Sequence, residues 1–272
     1  MGLVFCALAG ALLLAIWQMS REKVFRVRGM AMGTGWTLAW RGDGVEGLEG
    51  EVASVLERWE GVMSQWREGS DLSRFNRGEA ATVDLARVME LAEGFREASG
   101  GAFDHRVLEK VHAAGFGPAG EGVDLSAVGK GFAVDRVGER LRELGVRDFV
   151  FELGGEVLAG DGEWPVAVEV PDVAATRVGR TVVLSGNAMA TSGNYRQFSP
   201  DAGGLRSHLI DPRTGEPVVR AACSVSVIAG DCATADAWAT ALFVLGPEFR
   251  GYPETLRVSW QFADGRVSEG AR

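Results

Sequence analysis

The spacing of apolar residues most constrains the fold, because it changes repeatedly between a strand-like and a helical pattern. Residues 33–40 have the composition of a strand, and a glycine-rich turn follows at 41–44. Residues 45–66 then carry apolar side chains three or four positions apart, which predicts a long amphipathic helix. The chain therefore combines strands with helices from its first folded segment.

Further elements follow in the same way. We expect a second helix from Asp84, as its N-cap, to the glycines at 100 and 101, and a third from Lys130 to Gly145. The other predicted elements are strands over 149–158, 164–170, 181–184 and 224–228 and a helix over 234–245. No low-complexity linker divides them. The sequence thus predicts one α+β domain, a single mixed α/β domain from residue 24 to 262, with a polar tail over 263–272.

The N-terminal segment is apolar from Gly2 to Trp17, which is typical of a signal peptide or membrane anchor. We therefore expect residues 1–20 to hold the protein at the inner membrane with its domain on the periplasmic face. Basic residues follow the run instead of preceding it, which is the reverse of the usual pattern for an exported domain. Cys6 lies before most of the run, so we expect a protein anchor and not a lipid.

Charge and cysteine content narrow the possible partners. The formal net charge of -9 argues against nucleic acid, and it suggests that phosphate groups are handled with the help of a divalent cation. Cys223 and Cys232 fit no metal or redox motif by their spacing. Two buried thiols are the expected state, with a disulfide as the alternative.

Three polar segments carry the candidate chemistry. The first, residues 124–135, places Asp124, Ala127 and Lys130 where the chain enters a helix. The N-terminus of a helix binds phosphate well, and a lysine there adds a positive charge. The alternative is that Asp124 is a plain helix cap.

The second segment lies on the last predicted helix. Asp236 and Thr240 are four residues apart, so both side chains share one helix face and offer oxygen atoms to one hard cation such as Mg²⁺. The alternative is structural: Thr234 caps the helix and Asp236 interacts with its dipole.

The third segment is HLIDPRTG, residues 208–215, where Pro212 and Gly215 favour a turn. His208 beside Asp211 is a reasonable general base in such a loop, and a purely structural histidine is the alternative. Trp66 could stack on a flat heterocycle, although its helical spacing favours a place in the core.

Together these segments resemble the bacterial FAD:protein FMN transferases, the ApbE family also called thiamine-biosynthesis lipoproteins. Eight blocks match in order along nearly the whole chain after the anchor: MGT at 32–34, SDLSRFN at 70–76, GAFD at 101–104, residues 124–135, LGG at 153–155, ATSG at 190–193, HLIDPRTG and the Asp236/Thr240 helix. The interval between GAFD and Asp124 is short, so a loop common in relatives is trimmed.

The resemblance implies an ApbE-like fold and a set of site residues. FAD would be lined by Met32, Trp66, Ala102, Phe103, Asp104, Asp124, Lys130 and Ile210. Magnesium would be held by Asp236, Thr240 and the main-chain carbonyl of Ala127, since alanine can contribute only a backbone oxygen.

The resemblance also implies a reaction, in which the FMN half of FAD moves to a threonine hydroxyl of an acceptor protein and AMP is released. The expected partners are FAD, an acceptor with an exposed threonine loop, and the membrane. We expect His208 to be the base, with Asp104 and Asp211 as alternatives. Two other functions stay open: an FAD pyrophosphatase that sends FMN to water, and a carrier that binds FAD without turnover.

Overall fold

The computed structural model describes residues 23–172, 174, 178–196, 198–201 and 204–270, with side chains left undescribed at 198–201 and 204. The predicted anchor, residues 1–20, lies outside this part of the chain. None of the helices within the described ranges is both long enough and apolar enough to cross a membrane.

An antiparallel sheet forms the centre of the described structure. Its eight strands, in spatial order, are β1 (Val24–Ala31), β2 (Thr34–Arg41), β3 (Phe149–Leu153), β4 (Glu156–Ala159), β7 (Ala188–Gly193), β11 (Cys223–Ala229), β12 (Arg257–Phe262) and β13 (Val267–Glu269). The order brings β4 beside β7, so the first and last parts of the chain share one sheet.

Helices cover one face of this sheet. The described helices are α1 (Leu48–Met63), α2 (Asp71–Asn76), α3 (Val83–Ala98), α4 (Leu108–Ala113), α5 (Gly129–Glu143) and α6 (Cys232–Leu245). Helices α5 and α6 pack on the strands and on each other, and α1 packs on α5, where Trp59 meets the edge of Phe132 at 4.7 Å between ring centroids. Helix α6 is buried along nearly its whole length, which explains its unusually apolar sequence.

The opposite face of the sheet is covered by a hairpin of β5 (Trp164–Glu169) and β6 (Val178–Leu184). Alternate residues of a strand point to opposite faces. Accordingly, Leu158 belongs to the main core under the helices, whereas Val157 packs with Trp164 and Leu184 in a second apolar cluster. A third small sheet contains β8 (Phe198–Asp201), β9 (Gly204–Ile210) and β10 (Pro217–Arg220).

The mixed α/β architecture predicted from the sequence is confirmed, with differences at particular elements. The second predicted helix starts after Thr82, whose hydroxyl accepts from the Leu85 N–H at 3.3 Å, so Asp84 is not its N-cap. The predicted strand over 149–158 is a hairpin, because Gly154 and Gly155 turn the chain with φ of 61° and 107°. Both glycines adopt a conformation that other residues rarely take.

Two further findings concern the C-terminal region. Part of the predicted polar tail is β13, which pairs with β12 at the sheet edge. Cys223 and Cys232 are buried free thiols, so the alternative of a disulfide between them is wrong.

Candidate functional site

A cavity of about 1020 Å³ lies between the sheet, α5, α6, β9 and the loop before α4. It gathers residues from all three polar segments. The residues predicted for the site that line this cavity are Trp66, Ala102, Phe103, Asp104, Asp124, Ala127, Lys130, His208, Ile210, Asp236 and Thr240. Segments separated by about a hundred residues in the sequence therefore meet in one place.

Two predicted residues lie away from the lining of this cavity. Met32 adopts φ of 49°, its N–H donates to Glu60 Oε2 at 3.1 Å, and it borders a smaller adjacent cavity. Thr34 lines both cavities, so Met32 is near the site without facing the main one. Asp211 turns to Arg213, which donates to it from Nε at 2.9 Å.

The first segment forms the tight entry to α5. Asp124 is buried, and its Oδ1 accepts from the Ser126 N–H at 2.8 Å, which fixes the loop that leads to Ala127. Burial raises the pKa of Asp124, and the hydrogen bond from Ser126 opposes that shift. Asp124 thus orders the loop before the helix and also lines the cavity.

Lys130 forms an ion pair that sequence reasoning missed. Its Nζ lies 2.6 Å and 2.7 Å from the two carboxylate oxygens of Glu156, which is only 3% exposed at the start of β4. Burial opposes the charged amine, but Glu156 and Asp236 raise the pKa of Lys130 above its ordinary value. Lys130 is therefore held at the cavity wall as the positive half of an ion pair with Glu156.

The second segment behaves as its spacing predicts. Asp236 and Thr240 lie one turn apart on α6, and both line the cavity. The Gly131 N–H donates to Asp236 Oδ2 at 3.0 Å, and Thr240 Oγ1 lies 3.4 Å from Ser192 Oγ. Asp231, not Thr234, caps α6 through its side chain. Burial raises the pKa of Asp236, and Lys130 counters that shift.

These donors fit magnesium. Within the described residues, no group of three or more His, Cys, Asp or Glu side chains is arranged around a common point. Mg²⁺ characteristically takes one or two carboxylates and keeps water or substrate oxygens as its other ligands. The Asp236 carboxylate, the Thr240 hydroxyl and the Ala127 carbonyl supply such a partial set, and all three residues line the same cavity.

A second part of the cavity lining, the aromatic wall of Trp66, Phe116 and His208, is more exposed. Trp66 lies beyond the end of α1 and is 69% exposed, so the interpretation as a core residue is wrong. His208 is half-buried and lies in β9, not in a loop, with its ring 6.2 Å from that of Phe116. The predicted turn comes directly after β9, where the Gly215 N–H donates to the Asp211 carbonyl at 2.8 Å.

The two alternative bases are held by neighbouring arginines. Burial alone would raise the pKa of Asp104, but Arg106 donates to its carboxylate from both backbone and side chain and holds the pKa below its ordinary value. Hydrogen bonds from Arg213 likewise lower the pKa of Asp211. Carboxylates whose charged form is stabilised in this way are weak bases. His208 is therefore the better candidate for the general base.

Comparison with known proteins identifies the class of protein to which this fold and cavity belong. The chain belongs to the ApbE family, whose model matches residues 32–123 and 119–252. A relative named FAD:protein FMN transferase from Haemophilus influenzae is 31% identical over 299 aligned positions, covering 89% of this chain and 86% of the relative. Another of that name from Vibrio cholerae is 32% identical, covering 89% and 87%.

A solved structure gives the same result for the fold. The apo form of the flavinyl transferase ApbE from Pseudomonas stutzeri superposes with a TM-score of 0.77 at 26% identity, covering 91% of this chain and 95% of that one.

Proposed function

We propose that this protein is a magnesium-dependent FAD:protein FMN transferase that attaches FMN to a threonine of an acceptor protein and releases AMP. The observation that carries the proposal is the set of side chains that line the large cavity of the described structure. The Lys130 ammonium, which is paired with Glu156, and the oxygen donors Asp236 and Thr240 form one set of lining groups, and Trp66 and His208 form a second. The first set suits a pyrophosphate, and the second suits a flat ring and an incoming hydroxyl.

The proposed reaction is a displacement at phosphorus. The threonine oxygen attacks the flavin-side phosphorus of FAD, a new phosphoester bond forms, and the bond to the bridging oxygen of the pyrophosphate breaks as AMP leaves. His208 accepts the proton of the hydroxyl. Lys130 holds pyrophosphate charge, and Trp66 orients the flavin by stacking. Bound Mg²⁺ would neutralise developing negative charge on the phosphates.

We further propose that residues 1–20 hold the domain at the periplasmic face of the inner membrane. The apolar run from Gly2 to Trp17 supports this placement. The acceptor would then be a membrane or periplasmic protein that presents a short exposed threonine loop to the cavity near His208.

The test incubates the full-length protein in detergent with FAD, Mg²⁺ and an acceptor that bears a threonine loop, and measures the intact mass of the acceptor. We expect a mass increase equal to phosphoester-linked FMN, with equimolar AMP, and no increase after chelation. An acceptor whose threonine is changed to valine is the matched control. FMN and AMP without acceptor modification would favour the pyrophosphatase, and unconsumed bound FAD would favour the carrier.

A further inference from the structure

Helices α5 and α6 meet through their N-terminal ends, and each end is completed by a carboxylate from the other helix. The first N–H groups of a helix have no partner within it and need another acceptor. On α5, the Gly131 N–H donates to Asp236 Oδ2 at 3.0 Å. On α6, the N–H groups of Cys232 and Ala233 donate to Oδ1 and Oδ2 of Asp135 at 2.8 Å and 2.9 Å.

This reciprocal arrangement requires close contact between the helices. A Cβ atom at position 131 would collide with the carbonyl oxygen of Cys232 and would lie 2.8 Å from Asp236 Cβ. Glycine is therefore the residue that allows the Gly131 N–H to reach the Asp236 carboxylate. The same contact brings Asp135, about one turn further along α5, to the first turn of α6.

The remaining amide groups at the start of α6 are satisfied within its own segment. The exposed Asp231 accepts from the Thr234 N–H at 2.8 Å through its side chain and from the Ala235 N–H at 3.2 Å through its carbonyl. Asp231 thus caps the helix without joining it to α5, whereas Asp135 joins the two helices. Variants of Asp231 and Asp135 therefore separate local capping of α6 from positioning across the α5–α6 interface.

We propose that Asp135 is a positioning residue for the metal site: it fixes the first turn of α6 so that Asp236 and Thr240 face the Ala127 carbonyl at the start of α5. This inference rests on the proposed function, because it assigns Mg²⁺ to these three donors. The Gly131 N–H engages one oxygen of Asp236 and leaves the second for the cation. Without Asp135, two buried helix amides lose their acceptor, and the α6 donors shift relative to Ala127.

The test measures metal binding and helix order separately from turnover. Mn²⁺ is titrated into the full-length protein by electron paramagnetic resonance, with Mg²⁺ as competitor. We expect Asp135→Ala to weaken Mn²⁺ binding about 10- to 100-fold, the range usual for residues that orient metal ligands. Asp231→Ala, the matched control, should weaken it less than about threefold. Asp135→Asn keeps one acceptor oxygen and serves if the alanine variant does not fold.

Two further readouts separate positioning from general destabilisation. Hydrogen exchange should accelerate across residues 232–236 in Asp135→Ala but only near Thr234 in Asp231→Ala. Saturating Mg²⁺ should restore much of the FMN transfer of Asp135→Ala, whereas Asp236→Ala should not recover. Wild-type metal affinity in Asp135→Ala, or equal losses in the two variants, would overturn the inference.

Failure of the proposed function would appear differently. If the wild-type protein bound no Mn²⁺, the metal assignment itself would be wrong. The hydrogen-exchange experiment would still test whether Asp135 fixes the first turn of α6. Unchanged protection of residues 232–236 in Asp135→Ala would show that it does not.

Discussion

The two walls of the cavity are built in different ways. On the α5–α6 wall, Glu156 and Asp236 are 3% and 5% exposed, and each is hydrogen-bonded to a group of α5. On the aromatic wall, Trp66 is 69% exposed and lies beyond the end of its helix. Buried, mutually bonded groups keep their positions before substrate arrives, whereas an exposed ring gains its contacts only on binding.

This difference suggests that the two walls have separate roles in turnover and in binding. Charges that are fixed in advance stabilise a transition state without being reoriented at the moment of reaction. An accessible wall admits both the flavin and the acceptor protein. We therefore expect substitutions on the α5–α6 wall to reduce turnover and those on the aromatic wall to reduce FAD affinity, with His208 as the exception.

The largest effect should follow from Asp236→Ala. Loss of the carboxylate removes the charged ligand of the proposed metal site, and we expect FMN transfer to fall by about 10³-fold because a bound metal contributes several kcal/mol to phosphoryl transfer. Steady-state AMP release at several Mg²⁺ concentrations measures the effect. Circular dichroism should report an intact fold. Unchanged metal-dependent turnover in this variant would refute the metal site.

The next effect should come from His208→Ala, which tests the exception on the aromatic wall. General bases typically contribute about 10²- to 10⁴-fold, so we expect kcat to fall by at least about 10²-fold with FAD affinity nearly unchanged. His112→Ala is the control, since His112 is exposed on α4 outside the cavity lining. Equal losses in both variants would argue against His208 as the base.

Sequence reasoning succeeded where the interaction is local. The four-residue spacing of Asp236 and Thr240 places both on one face of any α-helix, and the structure has them there. Glu156 was missed because its partner Lys130 is far away in sequence, and only the pairing of β4 with β3 beside α5 brings the two together. Its one signal was an acidic residue at the start of the otherwise apolar strand β4.

The incorrect expectations have equally specific causes. Trp66 continues the helical spacing of residues 45–66, but α1 ends at Met63, so the position that would face the core becomes exposed. β1 was missed because its alternation places Arg26 and Arg28 on the exposed side, where they resemble the basic flank of an anchor. Asp135 was seen only as the end of a motif, since its role depends on a helix about a hundred residues later.

A third prediction concerns the stability of the α5–α6 wall. Burial raises the pKa of Asp135 from 3.8 to about 6, so between these values the folded state holds a proton that the unfolded chain has lost. The stabilisation from this group is present below about pH 4 and is lost as pH rises through 6. The difference corresponds to at most roughly 3 kcal/mol. Urea unfolding between pH 4 and 7 should show this decline.

The variant Asp135→Asn isolates the contribution of Asp135 to the pH dependence of stability, because an amide does not titrate between pH 4 and 7. Its free energy of unfolding should change less with pH than that of the wild type between pH 4 and 6. Asp231→Asn removes a neighbouring charge that helps to raise the pKa of Asp135, so it should reduce the decline only in part. A decline of equal size in Asp135→Asn would assign the pH dependence to other carboxylates.

The smallest effect should follow from Trp66→Ala, which tests the aromatic wall itself. Stacking of a base on an aromatic side chain contributes about 1–3 kcal/mol, and the exposed setting of Trp66 favours the lower part of that range, so we expect FAD affinity to fall about 5- to 30-fold. The melting temperature should hardly change, because little of this side chain is buried. Fluorescence titration of FAD and kcat at saturating FAD separate binding from turnover. Trp66→Phe should retain most of the affinity, and a loss confined to kcat would mean that this wall also acts in the chemical step.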